Sequence, residues 1–273
     1  MLDKGENKVM VLGVIGAGNM AQAIIAGIKK SHSLDCKNII VSNYNKQKAA
    51  RLSEEYGVLT DDNINVIKKS DIVLLAVKPY ALISTLELYQ NELLDKIVIS
   101  VAAGISISDM EKVNTRLKII RVMPNTPVQI CQGVFAYVYG ANIIKEDKEI
   151  FSSIFSKLGM FIEIDESKID AVSSLTGCSP AYIYQIIEAM SDAGVKMGLP
   201  RELAISLSAM AVHGSGGMVH FTGTHPAVLK DKVTSPAGST IEGLAELESK
   251  GVRGAVISAL YKAYEKTLLF SKK

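Results

Sequence analysis

The sequence predicts an α/β fold, a doubly wound and mostly parallel sheet followed by an all-helical second half. Three observations carry that expectation. Short Val- and Ile-rich runs alternate with helix-like stretches through the first half. The first of these runs flows directly into a glycine-rich turn and a small-residue helix. Near Glu166 the texture changes, and after it no convincing strand appears while Ala, Gly, Ser and Met dominate.

Taken in order, the first apolar run covers residues 9–15, and the small-residue stretch 21–27 behind the turn reads as a helix. Residues 38–42 form a second strand-like run and 46–56 a helix. Residues 71–77 form a third run, stopped by Lys78-Pro79, and 96–102 a fourth, ending in Ala103-Gly104. A helix is predicted over 106–113, then a strand over 117–123 that Pro124 and Pro127 terminate. Residues 133–139 and 160–164 read as later strands, with a helix over 146–158 between them. In the second half, residues 180–197 read as a helix apolar on most faces, with Gly198 as its stop. Pro200 suits the first turn of the next helix, expected to run to about residue 214. A last helix is expected over 253–270. A helix apolar all round has to be covered on all sides, and so few helices cannot cover one another. A subunit interface is therefore expected here. No linker is visible, and the boundary falls near residue 165.

The chain has 273 residues, 48% hydrophobic and 21% charged, with a net charge of +2. That balance, without a basic cluster interleaved with aromatics, argues against nucleic acid or an anionic membrane as partner. The apolar runs are too short to span a bilayer. Asp3 and Glu6 near the start do not read as a signal region. Cys36, Cys131 and Cys178 are odd in number and widely spaced, which fits reduced thiols in a cytoplasmic protein. No metal-ligand spacing is present. His213, His220 and His225 lack the i, i+4 pattern and read as surface or helix-end residues. Met190, Met197, Met210 and Met218 read as core, and Asp61-Asp62 as solvated surface.

The turn is Gly16-Ala17-Gly18-Asn19-Met20-Ala21. Gly16 would let the chain turn, Gly18 would let a pyrophosphate approach the backbone, and Ala21 would let helix and strand pack closely. The helix N-terminus then offers its N–H groups to the phosphates. Sites for NAD commonly place a carboxylate at the end of the second strand, about 20 residues past the glycines. Here that strand ends Ser42-Asn43-Tyr44-Asn45-Lys46, with no carboxylate, which favours NADP. The strand ends Ala76-Val77-Lys78 and Ala102-Ala103-Gly104 fall on the edge where such a sheet binds its ligand. Late in the chain, residues 233–244 read VTSPAGSTIEGL, a Ser/Pro/Gly loop running into a helix. Ser239 with Glu242 three residues on has the spacing of a capping box. The same N–H groups, of Gly238, Ser239 and Thr240, also form a cradle for a carboxylate. Spacing alone leaves the two open.

Together these pieces resemble the pyrroline-5-carboxylate reductase family nearly end to end. The resemblance rests on IGAGNMA, AVKP, AAGIS, RVMPNTP, the GCSPAY of residues 177–182, DAGVKMGLPR and VTSPAGSTIEGLAELE. It implies a Rossmann-type NADP-binding domain over residues 1–165 and a helical substrate-binding and dimerisation domain over 166–273. It implies a homodimer, with larger assemblies of dimers as an extension. NADP(H), with NAD(H) as the alternative, would contact Ile15, Gly16, Ala17, Gly18, Asn19, Met20, Asn43, Asn45, Asn63, Ala76, Val77, Lys78 and Ala103. The substrate, 1-pyrroline-5-carboxylate, would be reduced to L-proline. Its carboxylate would sit on Gly238, Ser239 and Thr240, with the Thr240 hydroxyl at the ring nitrogen and Glu166 beside the substrate pocket.

Five residues depart from the family pattern. Ala237 and Ser239 replace a glycine and a threonine, and a positive φ at Ala237 would be costly. Tyr44 stands where an arginine for the 2′-phosphate is common, Lys232 where some relatives have asparagine, and Ser179 where a glycine is usual. Reducing a cyclic imine asks little of the protein, because the cofactor carries the hydride. The lack of a catalytic His–Asp or Lys–Asp pair fits that chemistry. Two alternatives remain at this level. One is another NADP-dependent imine or hydroxyacid oxidoreductase, for which Lys196 is the nearest candidate acid. The other is a nucleotide-binding sensor without turnover.

Overall fold

The computed structural model describes residues 9–271; residues 1–8, where Asp3 and Glu6 lie, and 272–273 fall outside the described residues. The chain forms two compact units. One comprises the residues through Gly177 together with those from Tyr264 onward, and the other is Cys178–Ala263.

The first unit is built on one sheet. In chain order its elements are β1 (Leu12–Ile15), α1 (Asn19–Ser31), β2 (Ile39–Ser42), α2 (Lys46–Tyr56), β3 (Leu59–Thr60), α3 (Asn63–Lys69), β4 (Ile72–Leu75), α4 (Pro79–Tyr89), β5 (Ile97–Ser100), α5 (Ile107–Glu111), β6 (Lys118–Pro124), β7 (Gly133–Tyr139), α6 (Lys145–Phe155), β8 (Gly159–Glu163) and α7 (Ile169–Val172). The strand order is β3-β2-β1-β4-β5-β6-β7-β8. Strands β1 to β6 pair in parallel, β7 runs antiparallel to β6, and β8 is parallel to β7. The central strands β1, β4 and β5 are buried along their whole length, so they carry no polar alternation. Each face has its own core. Leu12, Ile24, Leu74 and Phe135 lie in one, and Val73, Leu82, Met110 and Ile119 in the other.

The expected elements are present, α2 and β7 with the expected bounds, α1 longer and several others shorter. Residues 9–11 precede β1 rather than joining it, and Val11 donates its N–H to Asp71 Oδ2 at 3.0 Å. The strand expected over 96–102 keeps only Ile97–Ser100, and the helix expected over 106–113 keeps only Ile107–Glu111. Strand β3 and helices α3 and α4 have little periodic signal of their own. A polar cap starts α3, where Asp62 accepts the Asn65 N–H at 2.8 Å, and a proline in the first turn starts α4.

The second unit contains α8 (Ser179–Lys196), α9 (Arg201–Thr222), α10 (Pro226–Lys232), α11 (Ser239–Ser249) and the first part of α12 (Val252–Ser271). The hairpin of α8 and α9 is close because its contact residues are small. Ser191 and Gly194 of α8 and Ala204 and Ser208 of α9 are buried, and a Cβ on Gly194 would meet that of Ala204 at 3.0 Å. Two expectations need correction. Pro200 is the N-cap of α9, and α9 does not stop near residue 214 but runs through Gly214, Gly216 and Gly217. Each glycine costs a helix roughly 0.5–1 kcal/mol relative to alanine without breaking it. The helix ends where Gly223 turns left-handed at φ +63°. The four methionines at 190, 197, 210 and 218 are not core within this chain; all are exposed.

Candidate cofactor cleft and substrate loop

The first unit presents its ligand edge at the carboxyl ends of β1, β2, β4 and β5. The strand order reverses between β1 and β4, which leaves a crevice above their ends. Gly16 opens the turn over it. Its N–H donates to Ser42 O at 2.8 Å, and its φ is +106°. A Cβ there would lie 2.5 Å from Ala76 O, so a side chain meets both backbone strain and a wall. Gly18 is different. It is the N-cap of α1 in extended conformation, and a Cβ on it would meet nothing within 4 Å. No side chain caps this helix start. The first-turn N–H groups, which a helix cannot satisfy itself, therefore face open space at the crevice. The helix has no acidic residue in its first turn and carries Lys29 and Lys30 in its last, an arrangement that leaves its positive end for an anion. An uncapped helix start, a backbone wall at Gly16 and open room at Gly18 fit a dinucleotide pyrophosphate.

The end of β2 is tied to this turn. The Ala17 N–H donates to Asn43 Oδ1 at 3.1 Å, and Asn43 Nδ2 donates to Asn45 O at 2.9 Å. Asn45 in turn caps α2, its Oδ1 accepting the Gln47 N–H at 3.0 Å. One amide thus fixes the glycine turn against the strand end that would hold the ribose. Beside it lies a cleft of about 770 Å³ lined by Asn43, Tyr44, Lys46, Asp61, Asp62 and Asn63 among others. Tyr44 is fully exposed there. Asp61 and Asp62, expected as plain solvated surface, line this cleft and do structural work. Asp61 Oδ2 accepts from Lys69 Nζ at 2.7 Å and Asp62 caps α3. The Lys69 hydrogen bond, helped by those from the Asp62 N–H and Asn65, lowers the Asp61 carboxyl to about 2. On the other side of the crevice, Ala76 donates its N–H to Ile15 O at 2.9 Å, Val77 follows it, and Lys78 is the N-cap of α4. Ala103 lies in the loop after β5. The structure therefore brings Ile15, Gly16, Ala17, Gly18, Asn19, Met20, Asn43, Asn45, Asn63, Ala76, Val77, Lys78 and Ala103 to one edge of the sheet.

Glu166 also belongs to the first unit. Its Oε1 accepts from Arg121 Nη1 at 2.9 Å and from the Ile107 N–H at 2.7 Å. Arg121, a buried residue of β6, opens the RVMPNTP segment, but nothing in that segment marks it as a partner of Glu166. A charge in the middle of a strand buried from Ile119 to Pro124 is the signal that could have found it.

In the second unit the loop before α11 closes on itself. Gly238 donates its N–H to Ser235 O at 3.1 Å, and Thr234 Oγ1 donates to Lys230 O at 2.7 Å. Ala237 does adopt a left-handed conformation, φ +56°. For a non-glycine residue this costs about 1–2 kcal/mol, and the closed turn sustains it. Two expectations change. The N-cap of α11 is Gly238, not Ser239, and no side chain caps it, so Ser239 and Glu242 form no capping box. Shifting the helix start by one residue puts the pair out of register for that motif. The Gly238 N–H is used inside the loop. The first-turn donors that remain for an anion include those of Ser239 and Thr240, both exposed.

Among the described residues there is no cluster of three or more His, Cys, Asp or Glu side chains placed to hold a metal. His225 is a helix-end residue, its Nδ1 accepting the Ala227 N–H at 3.2 Å.

The chain is similar to known proteins along nearly its whole length. Residues 166–268 match the family model described as pyrroline-5-carboxylate reductase dimerisation, and residues 11–104 match one described as NADP oxidoreductase, coenzyme F420-dependent. Pyrroline-5-carboxylate reductase of Pisum sativum is 38% identical over 258 residues, covering 94% of each chain. That of Methanosarcina acetivorans is 38% identical over 265 residues, covering 96% of this chain and 98% of its own. Among solved structures, Plasmodium falciparum pyrroline carboxylate reductase with NADP bound superposes with a TM-score of 0.85 at 33% identity, over 96% of this chain and 98% of that one.

Proposed function

The chain belongs to the pyrroline-5-carboxylate reductase family, and on that premise we propose that it reduces 1-pyrroline-5-carboxylate to L-proline with NADPH. The observation that carries the cofactor half is the uncapped start of α1 at Gly18, with open room in front of it and Asn43 holding the turn. NADPH supplies the hydride for the C=N carbon. The glycine turn and the first-turn N–H groups of α1 hold the pyrophosphate. Asn43, Tyr44 and Lys46, with Asn45 between them, form the 2′-phosphate end; the end of β2 carries no carboxylate, and Asp61 and Asp62, which line the same cleft, are engaged by Lys69 and the start of α3. Ala76, Val77, Lys78 and Ala103 give the nicotinamide half a low backbone wall.

The loop before α11 serves the substrate. The N–H groups of Ser239 and Thr240 hold the carboxylate at the positive end of an 11-residue helix. The Thr240 hydroxyl orients the ring nitrogen and relays its proton. One proton and one hydride are added across C=N, and NADP⁺ leaves. The test is an assay of NADPH oxidation with 1-pyrroline-5-carboxylate, repeated with NADH. Turnover with NADPH, and less with NADH, is expected. NADPH binding with no oxidation by this substrate would overturn the substrate assignment.

We further propose that the protein works as a homodimer through the second unit, with assembly of dimers as an extension. What supports this is the exposed apolar surface of α8 and α9, including Leu207, Met210 and Phe221. A cytoplasmic location is supported by the free thiols Cys36, Cys131 and Cys178. Among the described residues no helix is long and apolar enough to cross a membrane.

A further inference from the structure

Two buried side-chain atoms among the described residues have no hydrogen-bond partner, Arg121 Nε and Ser42 Oγ. The first belongs to a guanidinium whose other nitrogens meet Glu166 and Asp170. The second is a whole functional group left idle. Ser42 is 2% exposed, and its hydroxyl can both donate and accept. A hydroxyl taken from water and given no partner costs free energy in the folded protein. Other buried serines are not left so. Ser70 Oγ donates to Val66 O at 2.6 Å, Ser174 Oγ to Asp170 O at 2.9 Å and Ser191 Oγ to Glu188 O at 2.7 Å, while Ser100 Oγ accepts the Ala102 N–H at 3.3 Å.

Ser42 closes β2, and its place there decides what it can meet. Successive residues of a strand face opposite ways. Ile39 and Val41 enter the core that holds Leu12 and Ile24, and Ile40 enters the other, with Val66 and Ile67 of α3. Ser42 follows Ile40 by two residues and so faces α3. Its carbonyl is tied to the glycine turn, accepting the Gly16 N–H at 2.8 Å. Ser42 and the start of α3, Asn63 and Ile64, line the same cleft of about 770 Å³. Asn43, the next residue, is spent on the turn, its Oδ1 accepting the Ala17 N–H at 3.1 Å. The idle hydroxyl therefore lies on the α3 side of the cleft, one residue inside the end read above as holding the 2′-phosphate. Alanine at this place would close the strand with no unmet group. The serine is accounted for if a bound ligand supplies the partner that the protein does not.

We propose that Ser42 is a cofactor-binding residue whose hydroxyl is met only in the complex, by the adenosine half that NADPH and NADH share. Adenosine offers ribose hydroxyls and ring nitrogens to such a group. The proposal rests on the reading above that this cleft takes the dinucleotide. It predicts opposite signs in the free protein and in the complex. In Ser42→Ala the melting temperature of the cofactor-free protein stays at the wild-type value or rises by about 1–3 °C. Its affinity for NADPH, by titration of the full-length protein, falls about fivefold to thirtyfold, and its affinity for NADH falls alike. ADP-ribose, which lacks both the nicotinamide and the 2′-phosphate, loses affinity in the same ratio. Wild-type affinity for both dinucleotides in Ser42→Ala overturns the proposal, as it would if water alone met the hydroxyl. A fall for NADPH without one for NADH overturns it too, because the partner would then be the 2′-phosphate. So does a lowered melting temperature in the cofactor-free variant, the mark of a hydroxyl that serves the fold. Failure of the underlying reading shows elsewhere, in a wild-type protein that binds neither dinucleotide, and takes the proposal with it.

Discussion

The residues through Gly177 cover their own large apolar side chains. Ile24, Leu74, Phe135 and Phe151 are fully buried, and three aromatic rings of α6 and β7 pack within 6.1 Å of one another, centroid to centroid. The residues 178–263 do the reverse. Ala204 is the one buried apolar side chain there among the described residues, while Met210 is 66% and Phe221 86% exposed. Both regions are rich in apolar residues. The difference lies in geometry, because a sheet with helices on both faces encloses two cores, whereas a few helices cannot enclose any of their own. The first unit buries two cores and carries the proposed cofactor cleft on an edge of its sheet. The second leaves its apolar faces exposed, and the proposed substrate loop stands on a helix start.

The sharpest way to test this contrast is to alter each region where it is strongest. Gly16→Val puts a branched side chain against Ala76 O at a left-handed φ, so it should cost both NADPH binding and thermal stability. Gly18→Val meets no protein atom. It is expected to lower NADPH affinity by about a hundredfold or more, roughly 2.7 kcal/mol, with the melting temperature nearly unchanged. If Gly18→Val unfolds the protein or leaves affinity intact, the open space at Gly18 is not the pyrophosphate site.

In the second unit, Leu207→Glu and Met210→Glu place charge on the exposed face of α9. Light scattering should show loss of the dimer together with lowered activity, while NADPH binding by the first unit persists. A wild-type protein that is a stable folded monomer at micromolar concentration would contradict the reading of this face.

Thr240→Ala keeps its N–H for the carboxylate and removes only the hydroxyl. A hydrogen bond to a charged partner contributes about 1.5–3 kcal/mol, so kcat/KM should fall about ten- to a hundredfold with NADPH binding unchanged. Thr240→Val should behave alike. Wild-type rates in both would leave the loop as a helix start and nothing more. A smaller effect is expected at Asn43. Asn43→Asp still accepts the Ala17 N–H but adds a charge against a 2′-phosphate, and preference should move toward NADH by about tenfold.

The smallest effect belongs to Asp61. Its carboxyl is lowered from 3.8 to about 2 by the Lys69 hydrogen bond. A lowered pKa stabilises the folded state above the unfolded value and loses that contribution as pH falls through the folded one. Wild type should therefore lose slightly more stability than Asp61→Asn between pH 3.8 and about 2, and the two should differ by a constant amount above that window. Because the pair is exposed, the difference is expected to be small.

The glycine turn, the buried strands and the carboxylate-free end of β2 were legible in the sequence because each depends on local chemistry. A strand buried on both faces must be a continuous apolar run, and a turn against Ala76 O must be glycine. The loop at 233–240 was legible as an unusual segment but not in detail. Its helix start shifted by one residue, because the Gly238 N–H closes onto Ser235 and leaves Gly238 as the cap. Arg121 and its partner Glu166 were not legible as a pair. They are joined only when β6 and the segment after β8 come together, and no spacing along the chain announces a contact between residues 45 positions apart. The same reason separates the two halves of this protein. Period and turn chemistry determine elements, and so the sequence alone determined the fold class and the glycine turn after β1. Which N–H groups remain for a ligand, which charge is buried and which apolar faces stay exposed were decided only by the tertiary structure, since each depends on what distant residues occupy first.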